Sequence, residues 1–417
     1  MQLVTAEVVT IGDEILYGQI TDTNSQWISA ELDKIGVKTI RKSSIGDEKS
    51  EILNILKESL ERADIVLITG GLGPTKDDIT KKTIAEYFDD YLVLNETALE
   101  MVRAIFEKFG RELTELNKQQ AMLPSKCTFI PNEVGTAPCM WFDVNGKVII
   151  SMPGVPFEMK HIMSNEVLPR IRKQFKTPAI VHKIVRTVGV GESFLAELIA
   201  DWEDHLPAHI KLAYLPSLGQ VKLRLTGIGN NAEKLKNEID EAFEKVMPLI
   251  KANVYGEDDE ELELSIAKLL LAKKATLGTA ESCTGGYLAH SITANPGSSA
   301  YFLGSVVSYA NQVKMDLLKV QNSTLETVGA VSEETVRQMA EGARETLKCT
   351  YALATSGIAG PDGGTPEKPV GTIWLAVAGP EKTICKKINS SKTRLVNIQY
   401  ASKVALNMLR QMILNQI

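Results

Sequence analysis

Cysteine is scarce in this sequence and follows no metal-binding pattern. The five cysteines, at positions 127, 139, 283, 349 and 385, form no CxxC pair and no other zinc-like spacing. An odd number of scattered cysteines is typical of free thiols in a reducing compartment. The sequence therefore predicts free thiols rather than a disulfide framework or a cysteine-bound metal.

An excess of positive charge and a long apolar run are also lacking. The 46 lysines and arginines are interspersed among 52 aspartates and glutamates, which leaves a net charge of −6 and no basic patch that would favour nucleic acid. No stretch approaches a membrane span, and Met1 leads straight into a strand-like segment without a basic and apolar leader. We expect a cytoplasmic protein that binds neither a membrane nor, directly, a nucleic acid.

Length and patterning predict three domains. The chain has 417 residues, of which 44% are hydrophobic, enough to fill several cores. We predict domains at 1–169, 170–256 and 257–417, with the charged stretch 255–261 as the linker before the last one. Strands and helices alternate in the first domain, as in a doubly wound sheet. Strands are predicted at 6–11, 37–41, 65–69, 182–188 and 220–227, and helices at 24–35, 50–61, 192–201 and 232–250.

The C-terminal domain contains a polar turn between an apolar run, 275–279, and an amphipathic run that begins at Tyr287. Backbone N–H groups at such a turn can hold an anion or an oxyanion. Ser282 and Thr284 carry small hydroxyl groups beside glycines, as a nucleophile on a turn requires. The alternative is that one of them only caps the helix that follows.

A lysine follows the next predicted strand, at 304–309. With Asn311 as the N-cap of a helix over 312–318, Lys314 falls in the first turn, at position N3. The positive end of the helix dipole disfavours a charged lysine there, and a lysine with a lowered pKa can act as a general base toward a serine. Tyr309 can approach the same site if it ends the strand. The alternative for Lys314 is a solvated lysine on an amphipathic helix.

A third stretch is a loop rich in glycine and hydroxyl groups, at 355–366, between strands predicted at 351–354 and 372–377. A loop at the end of a strand can surround a phosphate or a ribose with backbone N–H groups and hydroxyls. The alternative is a long surface loop without a ligand, although loops of this composition between buried strands are often functional.

Four stretches of this domain are long enough to compare with known families. They read AESCTGG at 280–286, PGSSAYFLGSVVSYANQVK at 296–314, GAVSEE at 329–334 and SGIAGPDGGTPEKPVGT at 356–372. They resemble the CinA C-terminal domain, the family of nicotinamide mononucleotide deamidases, and the resemblance covers nearly all of 258–417. It implies hydrolysis of the nicotinamide amide with release of ammonia, through a Ser/Lys pair and without a metal or other cofactor.

The resemblance also implies a role for each matching residue. Ser282 is the nucleophile, Lys314 its base and Tyr309 a partner that helps to polarise the pair. The turn of Gly285 and Gly286 supplies the oxyanion donors. Arg394 binds the substrate phosphate through two charge-assisted hydrogen bonds of its guanidinium. The two residues before it are Lys392 and Thr393, where the family usually has Gly-Asp. The predicted substrate-binding residues of this domain are Thr279, Thr284, Gly285, Gly286, Thr355, Ser356, Gly357, Gly360 and Arg394.

The N-terminal domain has a glycine turn at the carboxyl end of a predicted strand. The stretch 70–78, GGLGPTKDD, is neither a Walker motif nor a GxGxxG. A glycine-lined backbone followed by Asp77 and Asp78 suits a phosphate-bearing ligand with Mg²⁺ or a similar divalent cation. The alternative is that these aspartates only favour the N-terminus of the next helix.

Matching stretches at 12–16, 22–25, 70–78, 131–138 and 152–159 resemble the molybdopterin-binding, MoaB/MogA-like domain in its CinA N-terminal form. That form is associated with metal-dependent ADP-ribose pyrophosphatase activity, and Cys139 stands where the family usually has glycine. A metal would neutralise the phosphates and a carboxylate would orient water. The predicted metal ligands are Asp13, Glu14, Asp77, Asp78 and Glu158, and the predicted ligand-binding residues are Gly70, Gly71, Gly73 and Thr75.

Together these patterns predict an α/β protein with a doubly wound MoaB/MogA-like N-terminal domain, a small α+β middle domain and an α/β CinA-type C-terminal domain. We expect hydrolysis of nicotinamide mononucleotide to nicotinate mononucleotide and ammonia, in pyridine nucleotide salvage, and a second, metal-dependent ADP-ribose pyrophosphatase activity. The resemblance also implies a homodimer. The alternatives are a non-catalytic module that binds molybdopterin or a nucleotide, and a competence or DNA-damage accessory protein.

Overall fold

The computed structural model describes residues 3–75, 78–390 and 392–417. The chain divides into two compact units, one of residues 1–181 with 227–236 and the other of residues 182–226 with 237–417. None of the described helices combines the length and the apolar character that a membrane crossing requires.

The first unit is built on a six-stranded sheet of order β2-β1-β3-β8-β7-β6, with β4 and β5 as a separate antiparallel ribbon. One turn of π-helix joins α7 to α8. The elements are β1 Thr5–Ile11, α1 Asp13–Leu16, α2 Thr23–Lys34, β2 Lys38–Ile45, α3 Lys49–Arg62, β3 Ile65–Thr69, α4 Thr80–Tyr87, β4 Leu92–Leu94, α5 Glu96–Lys108, α6 Glu115–Lys118, β5 Met122–Pro124, β6 Thr128–Ile130, β7 Cys139–Val144, β8 Lys147–Met152, α7 Pro156–Ile162 and α8 Leu168–Gln174.

The doubly wound arrangement predicted for this region is confirmed. Strands β2, β1, β3 and β8 are parallel, and β7 and β6 add antiparallel pairs at one side. All five residues of β3 are buried, because helices cover both faces of the sheet. Leu67 packs toward α2, α7 and α8, whereas Ile68 packs toward α3, α4 and α5. The loops after β1, β3 and β8 therefore meet at one edge of the sheet.

The remaining elements form two further sheets, of order β10-β11-β9-β12 and β14-β13-β15-β16-β17. In the second of these, β13 is parallel to both neighbours, and β15, β16 and β17 are antiparallel. The elements are β9 Ala179–Val188, α9 Glu192–Asp204, β10 Ile210–Ser217, β11 Gln220–Gly229, α10 Ala232–Ile250, β12 Val254–Glu257, α11 Leu262–Ala272, β13 Leu277–Glu281, α12 Tyr287–Thr293, β14 Phe302–Val307, α13 Asn311–Leu318, α14 Asn322–Thr327, α15 Glu333–Leu347, β15 Tyr351–Gly357, β16 Thr372–Ala378, β17 Thr383–Asn389 and α16 Arg394–Ile413.

The charged stretch 255–261 is only partly a linker. Its first residues belong to β12, which pairs with β9 and which the sequence pattern did not reveal, just as it did not reveal β10. Arg186 on β9 is 3% exposed, and its guanidinium donates to the Glu261 carboxylate at 2.6 Å and to the Asp258 carbonyl. The acids therefore balance a buried arginine, a role that an alternating-hydrophobicity pattern does not reveal.

The two faces of the C-terminal sheet carry side chains of different size. Leu277, Leu353 and Leu375 pack toward α11 and α16, whereas the opposite face presents mainly alanines to α15. Helix α15 consequently lies close to its neighbours. A Cβ atom on Gly342 of α15 would lie 1.8 Å from the carbonyl oxygen of Leu318, so only glycine lets α15 pass the end of α13. This contact holds α13 beside the sheet.

Candidate active site

Ser282 is the first residue after β13, the strand that lies between β14 and β15 in the C-terminal sheet. Strand β13 runs to Glu281, two residues beyond its predicted end, and Ser282 is half-buried directly after it. The Ser282 N–H donates to the Thr355 carbonyl on β15 at 2.9 Å. The candidate nucleophile thus stands at the carboxyl edge of the parallel strands, where α/β proteins commonly place their ligands.

A buried carboxylate, which sequence reasoning missed, organises the turn. Glu281 is fully buried, and its carboxylate accepts hydrogen bonds from the Thr284 hydroxyl at 2.7 Å and from the N–H groups of Gly286, Leu288 and Ala289 at 2.9, 3.1 and 2.8 Å. Glu281 therefore satisfies the first turn of α12. An acidic residue at the end of an apolar strand, just before two glycines, was the available signal.

The same bonds decide between the two interpretations of the hydroxyl residues. The N-cap of α12 is Gly286, at φ 97°, and no side chain caps it directly. Thr284 serves the turn, because its hydroxyl is shared between Glu281 and Thr355. Ser282 caps nothing, and its hydroxyl forms no hydrogen bond within the described residues. The capping alternative is thus wrong for Ser282.

The N–H groups predicted to hold the oxyanion are engaged elsewhere. Gly285 donates to the Ser282 carbonyl at 3.2 Å, and Gly286 donates to the Glu281 carboxylate. The N–H groups of Cys283 and Thr284, in contrast, donate to no other residue in the described part of the chain. A Cβ atom on Gly285 would meet nothing within 4 Å, so space is open beside this turn. The available oxyanion donors are Cys283 and Thr284.

Lys314 lies on α13 and is buried, not solvated. Lys314 is 1% exposed, and its ammonium donates to the carbonyls of Ser308 at 2.7 Å and Tyr309 at 3.4 Å. The N-cap is Ala310 rather than Asn311, which places Lys314 fourth in the helix and not third. Burial lowers the pKa of Lys314. The predicted direction is therefore correct, although desolvation rather than the helix dipole is the cause.

Ser308 connects the lysine to the nucleophile strand. Its N–H donates to the Glu281 carbonyl at 2.8 Å, and its own carbonyl accepts from Lys314. The ammonium is thereby held at the end of β14, the strand next to the one that Ser282 follows. No hydrogen bond joins Lys314 to Ser282 within the described residues. Catalytic hydrogen bonds commonly shorten only when substrate binds. Ser308 was not identified from the sequence, and its buried hydroxyl has no partner in the part of the chain described.

Cys283 is a poor candidate for the nucleophile. It is 6% exposed, and burial raises the pKa of its thiol to about 12. At neutral pH the thiol therefore holds its proton, whereas a thiolate is the reactive form of cysteine. This electrostatic environment favours Ser282.

Three predicted substrate-binding residues lie inside the domain. Strand β15 continues to Gly357, so Thr355 and Ser356 are strand residues, 0% and 1% exposed. The Ser356 hydroxyl donates to the Ala330 carbonyl at 2.6 Å, and Thr279 on β13 is 0% exposed. These side chains are internally satisfied, so they support the turn and do not face a ligand.

Arg394, Gly360 and Tyr309 meet on the exposed side. Arg394 is the first residue of α16, and its guanidinium donates to the Gly360 carbonyl at 2.6 Å and to the Tyr309 hydroxyl at 3.1 Å. Tyr309 follows β14 and is 66% exposed. Its carbonyl, not its hydroxyl, contacts Lys314. The structure therefore joins the predicted phosphate-binding arginine to the loop after β15.

A second candidate site lies at the carboxyl edge of the N-terminal sheet. A cavity of about 610 Å³ opens there, a volume typical of small-ligand sites. A Cβ atom on Gly70 would lie 2.1 Å from the Ile11 carbonyl, so the turn requires glycine. The cavity is lined by Gly70, Gly71 and Gly73 and by the acids Glu14, Asp22, Asp47, Asp78 and Glu158.

The predicted metal ligands separate into different environments. Asp78 accepts from the Thr75 N–H at 3.0 Å and from its hydroxyl. Asp13 does not line the cavity and accepts from the Tyr17 hydroxyl at 3.3 Å. Asp77 lies outside the described residues. Among the residues described, no three acidic, histidine or cysteine side chains are grouped closely enough to hold a metal by themselves.

Glu158 is partly buried in the wall of this cavity. Asn132 donates to it at 2.6 Å, and burial raises the pKa of the Glu158 carboxyl. A Cβ atom on Gly135 would lie 2.0 Å from a carboxylate oxygen of Glu158, which explains the glycine at this position of the stretch 131–138. Cys139 is 0% exposed in the core and does not line the cavity, so its substitution for the family's glycine does not fill the site.

Comparison with known proteins identifies the domains. The probable molybdopterin binding domain matches residues 7–173, the damage-inducible protein CinA KH domain matches 182–256 and the CinA C-terminal domain matches 259–413. The predicted fold class is confirmed: a MoaB/MogA-like N-terminal domain, a KH-like middle domain and a CinA C-terminal domain.

Full-length relatives extend this agreement. A CinA-like protein of Cytophaga hutchinsonii is 54% identical over 406 residues, which are 97% of this chain and 97% of the relative. A CinA-like protein of Flavobacterium psychrophilum is 47% identical over 411 residues, 98% of each chain. A CinA-like protein of Chloroherpeton thalassium is 40% identical over 416 residues, 98% of this chain and 99% of the relative. Because these similarities extend along almost the whole sequence, the chain belongs to the CinA family.

Proposed function

We propose that the C-terminal domain hydrolyses the amide of nicotinamide mononucleotide to nicotinate mononucleotide and ammonia. The observation that carries this proposal is the buried ammonium of Lys314. Within the described residues its hydrogen bonds go only to carbonyl groups, and burial lowers its pKa below the ordinary value of a lysine, as a general base requires. Lys314 lies on the helix that follows β14, the neighbour of β13, and the Ser282 hydroxyl forms no hydrogen bond within the described residues.

In the proposed reaction, the neutral amine of Lys314 takes the proton of the Ser282 hydroxyl as its oxygen attacks the carboxamide carbon. The N–H groups of Cys283 and Thr284 stabilise the oxyanion that forms. The C–N bond then breaks, and Lys314 returns the proton to the departing ammonia. Water, deprotonated by the same amine, then attacks the acyl-enzyme ester. The bond between the acyl carbon and the Ser282 oxygen breaks, Lys314 returns the proton to that oxygen, and the acid is released.

Arg394 supports a substrate that carries a phosphate. Its guanidinium has five N–H donors, and the bonds to Gly360 and Tyr309 use only part of them. The side chain is exposed, so the remaining donors can meet a phosphate on the open side of the site.

Ammonia release with excess chelator tests the proposal. We expect wild type to act on nicotinamide mononucleotide and less efficiently on nicotinamide riboside, which lacks the phosphate. Cys283→Ala is expected to retain activity within about tenfold of wild type, because a protonated buried thiol is not the nucleophile. No ammonia from either substrate, or complete loss in Cys283→Ala with the fold intact, would contradict the proposed reaction or its nucleophile.

A second activity, metal-dependent cleavage of ADP-ribose, is proposed for the N-terminal cavity. Mg²⁺ is commonly held by one or two carboxylates together with substrate phosphates, and Asp78 and Glu14 fit such a partial set. When bound, the ion would neutralise the pyrophosphate. The backbone at Gly70 and Gly71 would approach the phosphates, and Glu158, with its raised pKa, would accept a proton from water.

Asp78→Asn is expected to lower Mg²⁺-dependent release of AMP from ADP-ribose by about 10²-fold or more, because it removes one charged ligand. Asp13→Asn is the matched control, since Asp13 carries the same group and does not line the cavity. The assay is chromatography of the nucleotide products. Equal rates in both variants would exclude Asp78 from the reaction.

A further inference from the structure

A third cavity, within the second unit, matches neither proposed activity. It has a volume of about 690 Å³ and lies between the loops after β9 and β10 on one side and the end of β17 with α16 on the other. Lys386, Lys392 and Lys403 line it, and no aspartate or glutamate does among the described residues. Lys403 is paired with Glu263 at 2.9 Å. The other two lysines have no ion-pair partner in the described part of the chain, so the cavity is positively charged in a protein of net charge −6.

The start of α9 faces the same cavity. Gly189 and Gly191 line it, and Gly191 is the N-cap of this 13-residue helix without any side chain to cap it. The first N–H groups of the helix are therefore available to an anion. A Cβ atom on Gly189, at φ 78°, would lie 2.8 Å from the Asn407 amide nitrogen, so glycine is needed for this turn to approach α16.

A buried hydroxyl in the wall of the cavity lacks a partner among the residues described. Ser390 lines the cavity and is 5% exposed, and its Oγ has no hydrogen-bond partner within the described residues. Asn407, 8% exposed, also lines it, and its Oδ1 accepts from Arg410 at 3.1 Å, which orients the amide N–H groups away from that bond. An unsatisfied buried hydroxyl is unfavourable, and a ligand in the cavity that accepts its hydrogen bond would satisfy it.

We propose that this cavity binds a small phosphate-bearing molecule of mononucleotide size. The phosphate lies between Lys386 and Lys392. It accepts hydrogen bonds from the N–H groups at the start of α9 and from the Ser390 hydroxyl. The site differs from both proposed active sites in its residues, and unlike the N-terminal cavity it has no carboxylate among the described residues that line it. Its concave shape and its two unpaired lysines favour a compact ligand over a nucleic acid strand, which would need a longer basic surface.

Two adjacent lysines of β17 supply the test. Lys386 and Lys387 point to opposite faces of the strand, and only Lys386 lines the cavity. Inorganic pyrophosphate, without divalent metal, is titrated calorimetrically into full-length Lys386→Glu and Lys387→Glu, which carry the same net charge. We expect Lys387→Glu to bind as wild type does and Lys386→Glu to lose one site or to bind it at least about tenfold more weakly. Identical isotherms would overturn the proposal.

Protection from acetylation locates the ligand directly. Pyrophosphate is expected to slow modification of Lys386 and Lys392, followed by mass spectrometry, while Lys387 reacts at an unchanged rate. This readout is insensitive to pyrophosphate bound at the other sites. No protection would overturn the proposal, as would tighter Lys386-dependent binding of a single-stranded oligonucleotide than of pyrophosphate, which would assign the surface to nucleic acid instead.

Discussion

Lys314→Met is expected to slow ammonia release from nicotinamide mononucleotide by about 10³–10⁴-fold, to the level of Ser282→Ala, while the protein remains folded. The thioether side chain fills the same buried space without a base. Two carbonyls, of Ser308 and Tyr309, lose a donor, but the cost of burying an ammonium disappears as well. We therefore expect the unfolding temperature of the variant to stay close to that of wild type.

Lys319→Met is the matched control for this experiment. Lys319 follows the last residue of the same helix, is exposed and donates to the Asp316 carbonyl at 2.8 Å. Its replacement is expected to leave kcat within about twofold of wild type. If Lys314→Met kept more than about a tenth of wild-type kcat, another group would have to be the general base.

The pH dependence of wild type checks the same assignment. A general base must be neutral, so kcat/KM is expected to rise with pH through the pKa of Lys314 and then level off. Because burial lowers this pKa below the ordinary value of 10.5, the plateau should be reached at lower pH than for a solvated lysine. A rate that falls over this range of rising pH would show that the charged ammonium is the active form.

Glu281→Ala is expected to lower the free energy of unfolding of the C-terminal domain by about 3–5 kcal/mol and to abolish amide hydrolysis. The substitution leaves the buried N–H groups of Gly286, Leu288 and Ala289 without an acceptor, and it releases the Thr284 hydroxyl. The turn that presents Ser282 then loses its anchor to α12. Urea unfolding, followed by circular dichroism, and ammonia release measure the two effects.

Ser305→Ala provides the comparison on the same carboxylate. The Ser305 hydroxyl donates to Glu281 at 3.4 Å, a weak contact whose loss is expected to cost less than about 1 kcal/mol. Glu281→Gln should fall between the two, because its amide keeps one acceptor but places N–H groups against the donors of α12. Equal stability of Glu281→Ala and Ser305→Ala would show that the turn does not depend on the carboxylate.

The fold was largely predictable because the spacing of apolar residues along the chain is a local pattern. Strand β3 and helix α10 begin and end at the predicted residues, since an uninterrupted apolar run and a regular helical period leave little ambiguity. Strand β13 continues two residues further than predicted, because polar Glu281 is buried by bonds to a helix that follows it. Strand β12 was missed for a related reason, because its neighbouring acids pair with Arg186 from another strand.

The sequence by itself determined the alternation of strands and helices, the glycine turns and the resemblance to the CinA family, because these depend on neighbouring residues. Only the tertiary structure decided the environment of the candidate groups. Lys314 has a lowered pKa because packing removes it from water, and Cys283 is kept as a thiol for the same reason. Glu281 is a cap rather than a surface acid because three N–H groups of α12 converge on it. Burial and hydrogen bonding across the chain are set by packing, which no local pattern records.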